Sequence, residues 1–494
     1  MVLNPQLWGL ETKGAAKLNL TTFLDGSRIA AGGLKDFATG LVQPTVRLGV
    51  TGLSRSGKTV FITSLVHALL KQARLPVFEA MAQGRITQTY LEPQPDDDLP
   101  RFAYEDHLAA LTSENRHWPE STRRISQLRL TLDYQPSGFL ARNFGSGKLH
   151  VDIIDYPGEW VLDLPLMNLT YQQWSAKTIA DSRKAPRFAL AKSWHAHLQT
   201  LSADKSAHEN DAVTAAKIFT SYLASCRAEE VSLSSLPPGR FLMPGDLEGS
   251  PLLTFAPLDV TSDAHFVSGT LGHLMARRYD SYVAKVVKPF FFGHFARLDR
   301  QIVLVDVLTA LNAGAGAVND LRTALTDVMA SFRLGANSIV SELFGHRIEK
   351  ILFAATKADL LHHTSHDRLE AILKVLIDDA AKRAEFAGAT YDIAALSAIR
   401  ATREASVKQK GEELACIAGI PQQNEKLGGI VFDGVKEAAI FPGDLPVNPQ
   451  TALDGALEGH LKFLRFRPPL MQGSTFPHIR LDRALEFLIG DKFS

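Results

Sequence analysis

The 494-residue chain is about three times the usual domain length, so several domains are expected. Its 53 basic and 53 acidic residues leave no net charge, which argues against a nucleic-acid binder of the usual basic kind. Two cysteines, Cys226 and Cys416, without CxxC spacing exclude a disulfide framework and fit a reducing cytosol.

Residues 1–45 read as a leader without the build of a signal peptide. Phe23, Ile29, Leu34 and Phe37 fall on one face there. The reading is a helix packed on the next domain, with a membrane-surface or partner helix as the alternative, since Arg28 and Lys35 suit a polar face. Val46–Thr51 predicts a strand, and Phe61, Leu65, Ala68 and Leu69 predict the helix after it. The acidic, Pro-rich stretch 92–100 predicts a loop. Gln127–Asp133 and Leu149–Asp155 alternate with period two and predict an antiparallel hairpin.

Residues 161–295 change to helical spacing, with Phe188, Ala191, Trp194, Leu198 and Leu201 in one run and Val213, Ala216, Phe219, Leu223 and Cys226 in another. The apolar stretch after Gln301 is broken by Asp306 and Asn312, so it reads as a buried strand rather than a membrane span. Strands are predicted at Gln301–Leu308, Ile351–Thr356 and Tyr391–Leu396, with a helix through Val318, Leu321, Leu325, Val328 and Phe332. That alternation predicts a parallel or mixed sheet covered by helices. Beyond residue 411 the pattern is irregular, with short strands near Ile430–Phe432 and Phe463–Phe466 and a closing helix through Leu481, Leu485 and Leu488.

Gly52-Leu53-Ser54-Arg55-Ser56-Gly57-Lys58-Thr59 fits GxxxxGK[ST], a phosphate-binding loop opening on a helix that begins near Val60. Glycines let successive backbone N–H groups face phosphate oxygens, Lys58 reaches the β- and γ-phosphates, and the Thr59 hydroxyl ligates Mg²⁺. A chance match in this length arises at roughly 2%. Asp155-Tyr-Pro-Gly158 follows a buried strand, where the carboxylate can hold Mg²⁺ and the Gly158 N–H can meet the γ-phosphate. About two such DxxG strings occur by chance in a chain this long, so its placement carries the argument.

Thr356-Lys357-Ala358-Asp359 matches [NT]KxD, and an Asp carboxylate there can accept both guanine N1–H and the 2-amino group. Adenine lacks that donor pair. The string arises by chance in ~15% of such chains. Ser397-Ala398-Ile399 follows the next strand and can offer its backbone to guanine O6. All four elements sit in order at strand carboxyl ends, where open α/β sheets bind ligands.

These motifs resemble the GTPase branch of P-loop NTPases. With the WPEST…ISQLRL segment from Trp118, DYPGEW from Asp155 and HFARLDRQIVLVD before Leu308, the chain is similar to the YcjX-like family of bacterial nucleotide-binding proteins. The resemblance implies an α/β GTP-binding fold with GTP/GDP and Mg²⁺ as cofactors, a large helical insertion, and a stress-linked, cytoplasmic setting. A nucleotide-binding core at 46–160 and 296–410 is then expected, interrupted by the insertion at 161–295 and followed by an extension at 411–494. The insertion is the expected protein-partner surface, with peripheral association at the inner membrane as a variant.

Four residues bear on the chemistry: Lys58, Arg55, Glu159 and Thr122. Arg55 can act as an in-cis arginine finger, against the alternative of a solvent-facing or partner-pairing side chain. Glu159 replaces the water-orienting Gln of fast GTPases, or else pairs with a nearby Arg. Thr122 is the expected switch threonine on Mg²⁺, with Thr87, Thr89 and Thr112 as competitors. His362, His363 and His366 read as a solvated loop rather than a metal site, and Phe290–Phe292 as packed core rather than a surface patch. An ATPase of the same fold and a nucleotide-bound scaffold remain as alternatives.

Overall fold

The computed structural model describes residues 44–493 except 53–54, 121, 138–146, 229–230, 332–347, 387, 410–411 and 472. The leader helix with Phe23, the loop residues Leu53 and Ser54, and Phe332 therefore lie outside the described residues.

A seven-stranded sheet organises the chain from residue 45 onward. Its strands are β1 (Thr45–Gly52), β2 (Ile86–Glu92), β3 (Ser126–Tyr134), β4 (Gly147–Asp155), β5 (Arg300–Val305), β6 (Lys350–Ala355) and β7 (Thr390–Ala395), in spatial order β2-β3-β4-β1-β5-β6-β7. The four pairings from β4 through β1, β5 and β6 to β7 are parallel, while β2–β3 and β3–β4 are antiparallel. The predicted hairpin is present, with Gln127 opposite Ile154 and Asp133 opposite Lys148. The parallel strands bring the carboxyl ends of β1, β4, β5, β6 and β7 to one edge of the sheet.

Period-two burial splits the side chains of this sheet between two cores. Ile302, Leu304, Leu352 and Ala354 join Val46, Leu48 and Val50 against the helix Lys58–Leu70 and the closing helix Leu481–Ile489. Helix Lys58–Leu70 is buried around most of its circumference, as expected for a helix covered on several sides. On the opposite face Val303, Val305, Ile351 and Phe353 pack with the apolar residues of the insertion.

Between β4 and β5 the longest helices are Tyr171–Ser182, Glu209–Arg227 and Leu271–Tyr282. Helix Tyr171–Ser182 opens on a capping box between Thr170 and Gln173. Aromatic stacking ties the helices together, with Trp174 on Tyr279 at 5.2 Å and Trp194 on Tyr222 at 4.8 Å between ring centroids. Phe290 and Phe291 are buried in the same core. The run through Phe188 is two short helices rather than one, and Phe188 itself is exposed.

Two expectations are corrected. The stretch after Gln301 is a strand only to Val305, because the Asp306 carboxylate caps the next helix, Val307–Asn312, through the Thr309 amide at 3.2 Å. Gly314, at φ +95°, then precedes the longer helix Ala315–Ser331. The chain beyond residue 411 is also more ordered than its irregular pattern predicts, and an unpredicted strand precedes it. Strands β8 (Arg403–Gln409) and β9 (Glu412–Gly419) form an antiparallel hairpin, and Ala438–Ile440 adds a third strand. Ile430–Val431 pairs with Lys426–Leu427 as expected, but 463–466 contributes one bridge, Phe466 to Pro421, and no strand. Among the described residues no helix is long and apolar enough to cross a membrane.

Candidate nucleotide site

Strand β1 ends at Gly52, and the loop beyond it turns tightly. A Cβ at Gly52 would lie 2.1 Å from the Ser56 hydroxyl and 3.0 Å from Leu304 Cβ, so only glycine admits this approach. Gly57, at φ +85°, caps the helix that starts at Lys58, with no side chain accepting from its first amides. Those amides and the helix dipole face the loop. The Ser56 hydroxyl is buried without a hydrogen-bond partner. Lys58 and Val60 are half-buried, while Arg55 is exposed at φ +63°.

Three residues from separate segments meet beside this loop. The Thr122 hydroxyl donates to Asp155 Oδ2 at 2.5 Å and lies 3.3 Å from the Thr59 hydroxyl. Asp155 terminates β4 and is 1% exposed, and its other oxygen, Oδ1, is buried without a partner. Burial pushes its carboxyl up to about 6, against the opposing pull of the Lys58 ammonium and the Thr122 hydroxyl. Two hydroxyls and an unsatisfied carboxylate oxygen form a donor set of the hard kind that Mg²⁺ takes. The competitors lie elsewhere: Thr87 and Thr89 are on β2, and Thr112 donates to Leu108 O. Gly158 starts the short buried helix Gly158–Val161.

At the other end, Thr356 continues β6 and its amide donates to Val305 O at 2.9 Å. Lys357 takes a left-handed conformation, φ +61°, and its ammonium donates to Asp306 Oδ2 at 2.5 Å. Asp359 is buried. Ser397 Oγ donates to its Oδ1 at 2.7 Å and the Ala401 amide to its Oδ2 at 3.0 Å, each leaving lone pairs for further donors. Burial raises the Asp359 carboxyl above its ordinary range, opposed by these hydrogen bonds. Ala398 O accepts from Ser64 of the loop's own helix at 2.6 Å, and Ile399 packs with Leu111 and Phe476.

A cavity of about 310 Å³ joins the two ends. Arg55 to Val60 line it on one side, and Thr356, Lys357, Asp359 and Ser397 to Ile399 on the other. Trp118, Pro119, Leu464, Arg465 and Phe466 also line it. Sequence reasoning did not assign these five to the site. Trp118 and Pro119 stand in the WPEST string, a signal available beforehand, whereas Leu464–Phe466 carry no motif.

Glu159 does not line this cavity. It is 6% exposed and its Oε1 pairs with Arg227 at 2.7 Å. The insertion also grips the following residues. Asp163 accepts from the Gly239 amide at 2.6 Å and from the Tyr282 hydroxyl at 2.5 Å, and the Arg240 guanidinium lies 3.1 Å from the centre of the Trp160 ring. A Cβ at Gly239 would stand 1.8 Å from Glu159 O, so the two backbones touch. The three histidines divide: His362 and His363 group with Glu404, their ligand atoms within 4.8 Å, whereas buried His366 is bonded to Ala358 O at 2.9 Å.

The model of the YcjX-like family, DUF463, matches residues 46–493. A protein of Escherichia coli K12 named Ras-like GTPase YcjX is 38% identical over 462 residues, covering 91% of this chain and 96% of that protein. One of the same name from Shewanella oneidensis is 36% identical over 477 residues, covering 90% and 94%. With the family model matched over 46–493 and relatives of 36–38% identity matched over about nine-tenths of the chain, the chain belongs to the YcjX-like family.

Proposed function

We propose that the protein is a Mg²⁺-dependent GTP-binding switch that hydrolyses GTP slowly. The observation that carries this reading is the single cavity joining the Gly52–Thr59 loop to Asp359. Phosphates would lie against the amides after Gly57 and the Lys58 ammonium, with the guanine edge on Asp359. Thr59, Thr122 and Asp155 would hold the metal ion, which when bound neutralises phosphate charge. Asp155 and Gly158 sense the γ-phosphate in this reading, and Ser397 to Ile399 border the base.

Slow turnover is the expectation because Glu159, which stands where fast GTPases carry a water-orienting Gln, does not line the cavity and is held by Arg227. The insertion contacts the segment after Gly158 through Arg227, Gly239 and Arg240, which supports its role as reader of the nucleotide state and as the surface offered to a protein partner.

The test is a titration of purified full-length protein with GTP and ATP, together with identification of copurifying nucleotide. Selective GTP binding in Mg²⁺ and GTP copurified as GDP are expected. Equal competition by ATP would sink the guanine assignment. Phosphate release no faster than in a Lys58→Ala control would replace the switch with a nucleotide-bound scaffold.

A further inference from the structure

One wall of the cavity comes from a part of the chain far from every nucleotide motif. Leu464, Arg465 and Phe466 line it opposite Lys58 and Lys357 in sequence terms but beside Trp118 in space. The segment is firmly seated from behind. Leu464 and Phe466 pack with Ile417 and Ile440 of the small C-terminal sheet. A Cβ at Gly419 would approach the Phe466 ring to 2.8 Å, so glycine makes room for that ring. Glu425 accepts from the Arg465 amide at 3.0 Å and from its Nε at 2.7 Å.

From the front, the Trp118 indole N–H donates to Phe466 O at 2.7 Å, and Arg116 Nε donates to Pro468 O at 2.7 Å. Trp118 stands four residues before Thr122, which meets Asp155 and Thr59. A single short path thus runs from the C-terminal sheet through Phe466 and Trp118 to the metal end of the site. Trp118, Leu464 and Phe466 also give that side an apolar, partly aromatic surface suited to a base or ribose face.

We propose that the 464–466 segment is a binding wall for the nucleotide, latched by Trp118, and that this latch sets how long a nucleotide stays bound. The inference rests on the nucleotide reading above. In this proposal the nucleotide leaves on that side by parting Trp118 from Phe466, and loss of one neutral hydrogen bond changes such a rate by roughly two- to tenfold. Trp118 acts here as a positioning residue, and Glu425 acts through Arg465.

The experiment uses the full chain loaded with tritiated GDP in Mg²⁺ and chased with unlabelled GDP. Trp118→Phe, which keeps a ring and loses the donor, and Glu425→Gln, which loosens Arg465 from outside the cavity, should each release GDP roughly two- to tenfold faster. Association rates and melting temperatures of the unliganded variants should stay close to the parent. In the unaltered chain, hydrogen exchange of the 464–467 amides should slow when GDP is added.

Release at the parent rate in both variants, or exchange at 464–467 indifferent to GDP, overturns the latch. If the parent binds GDP and Lys58→Ala does not, that result overturns the latch alone and leaves the nucleotide site standing. Failure of the parent chain itself to bind GDP overturns both.

Discussion

The Glu159 carboxylate is paired at 2.7 Å with the guanidinium of Arg227, the last residue of the insertion helix Glu209–Arg227. The residue that follows the Asp155–Gly158 turn is thereby held by the insertion. Glu159→Gln loses the charge that holds it to Arg227, and the released amide can then orient water, so single-turnover GTP hydrolysis should rise by roughly tenfold, a barrier change near 1.4 kcal/mol. Quenched-flow measurement checks it. Arg227→Ala leaves a carboxylate with 8% side-chain exposure short of this partner and should cost about 2 kcal/mol in denaturant unfolding.

Asp359→Asn should weaken GTP binding by roughly a hundredfold or more, since two donors on guanine then face a side chain that presents a donor of its own. Ser397 can turn its hydroxyl to accept from the new amide, so the fold should persist. Xanthosine triphosphate, with a carbonyl where guanine has its amino group, should gain affinity in the same variant. Calorimetric titration with both nucleotides decides it, and equal losses for the two would reject the base contact.

Thr122→Ala removes the hydroxyl shared by Asp155 and Thr59. GTP affinity in Mg²⁺ should fall roughly tenfold, while affinity in EDTA stays near the parent value. Thr122→Ser should restore the difference. A fall of equal size in EDTA would show that Thr122 serves the fold and not the metal.

Asp163 provides a pH signature. Burial lifts its carboxyl from 3.8 to about 6, opposed by Tyr282 and by the amides of Gly239 and Arg240. Between these values the folded state binds more protons than the unfolded one, so this group's stabilising contribution is full below pH 4 and is lost as pH rises through 6. Asp163→Asn lacks that slope. The stability of the parent relative to this variant should therefore fall by about 3 kcal/mol between pH 4 and pH 7, measured by denaturant unfolding. A flat difference would mean that the hydrogen bonds balance burial, and a rise with pH that they outweigh it.

The motifs were legible because each is carried within a few residues. Gly52 and Gly57 are demanded by the loop's own geometry, and the Asp155 and Asp359 strings each end an apolar strand. Six strands of the main sheet were legible for a similar reason, since alternation and buried apolar runs are local, whereas β2 was missed because after Ile86 it is exposed or half-buried and carries no apolar run. Arg227 and Phe466 were not legible as site neighbours, because what places them is packing between segments distant in sequence. The stretch after Gln301 misled because its apolar residues continue past Val305, whereas one carboxylate, Asp306, changes the backbone from strand to helix. His366 misled in the opposite way: it is close in sequence to His362 and His363, but helix formation turns it inward to Ala358.

The core that Val303, Val305 and Phe353 share with Trp174, Phe219 and Tyr282 has a consequence for synthesis. Strand β1 receives its β5 neighbour only after the ribosome has made residue 305, and by then the whole intervening helical region has emerged. That region supplies the apolar cover for one face of β5 and β6, so it is ready before those strands arrive. Excising it would strand a wet hydrophobic sheet instead of yielding a smaller working domain. The helices between β4 and β5 and the sheet are, for the nascent chain, a single folding problem with a long-range closure at its end.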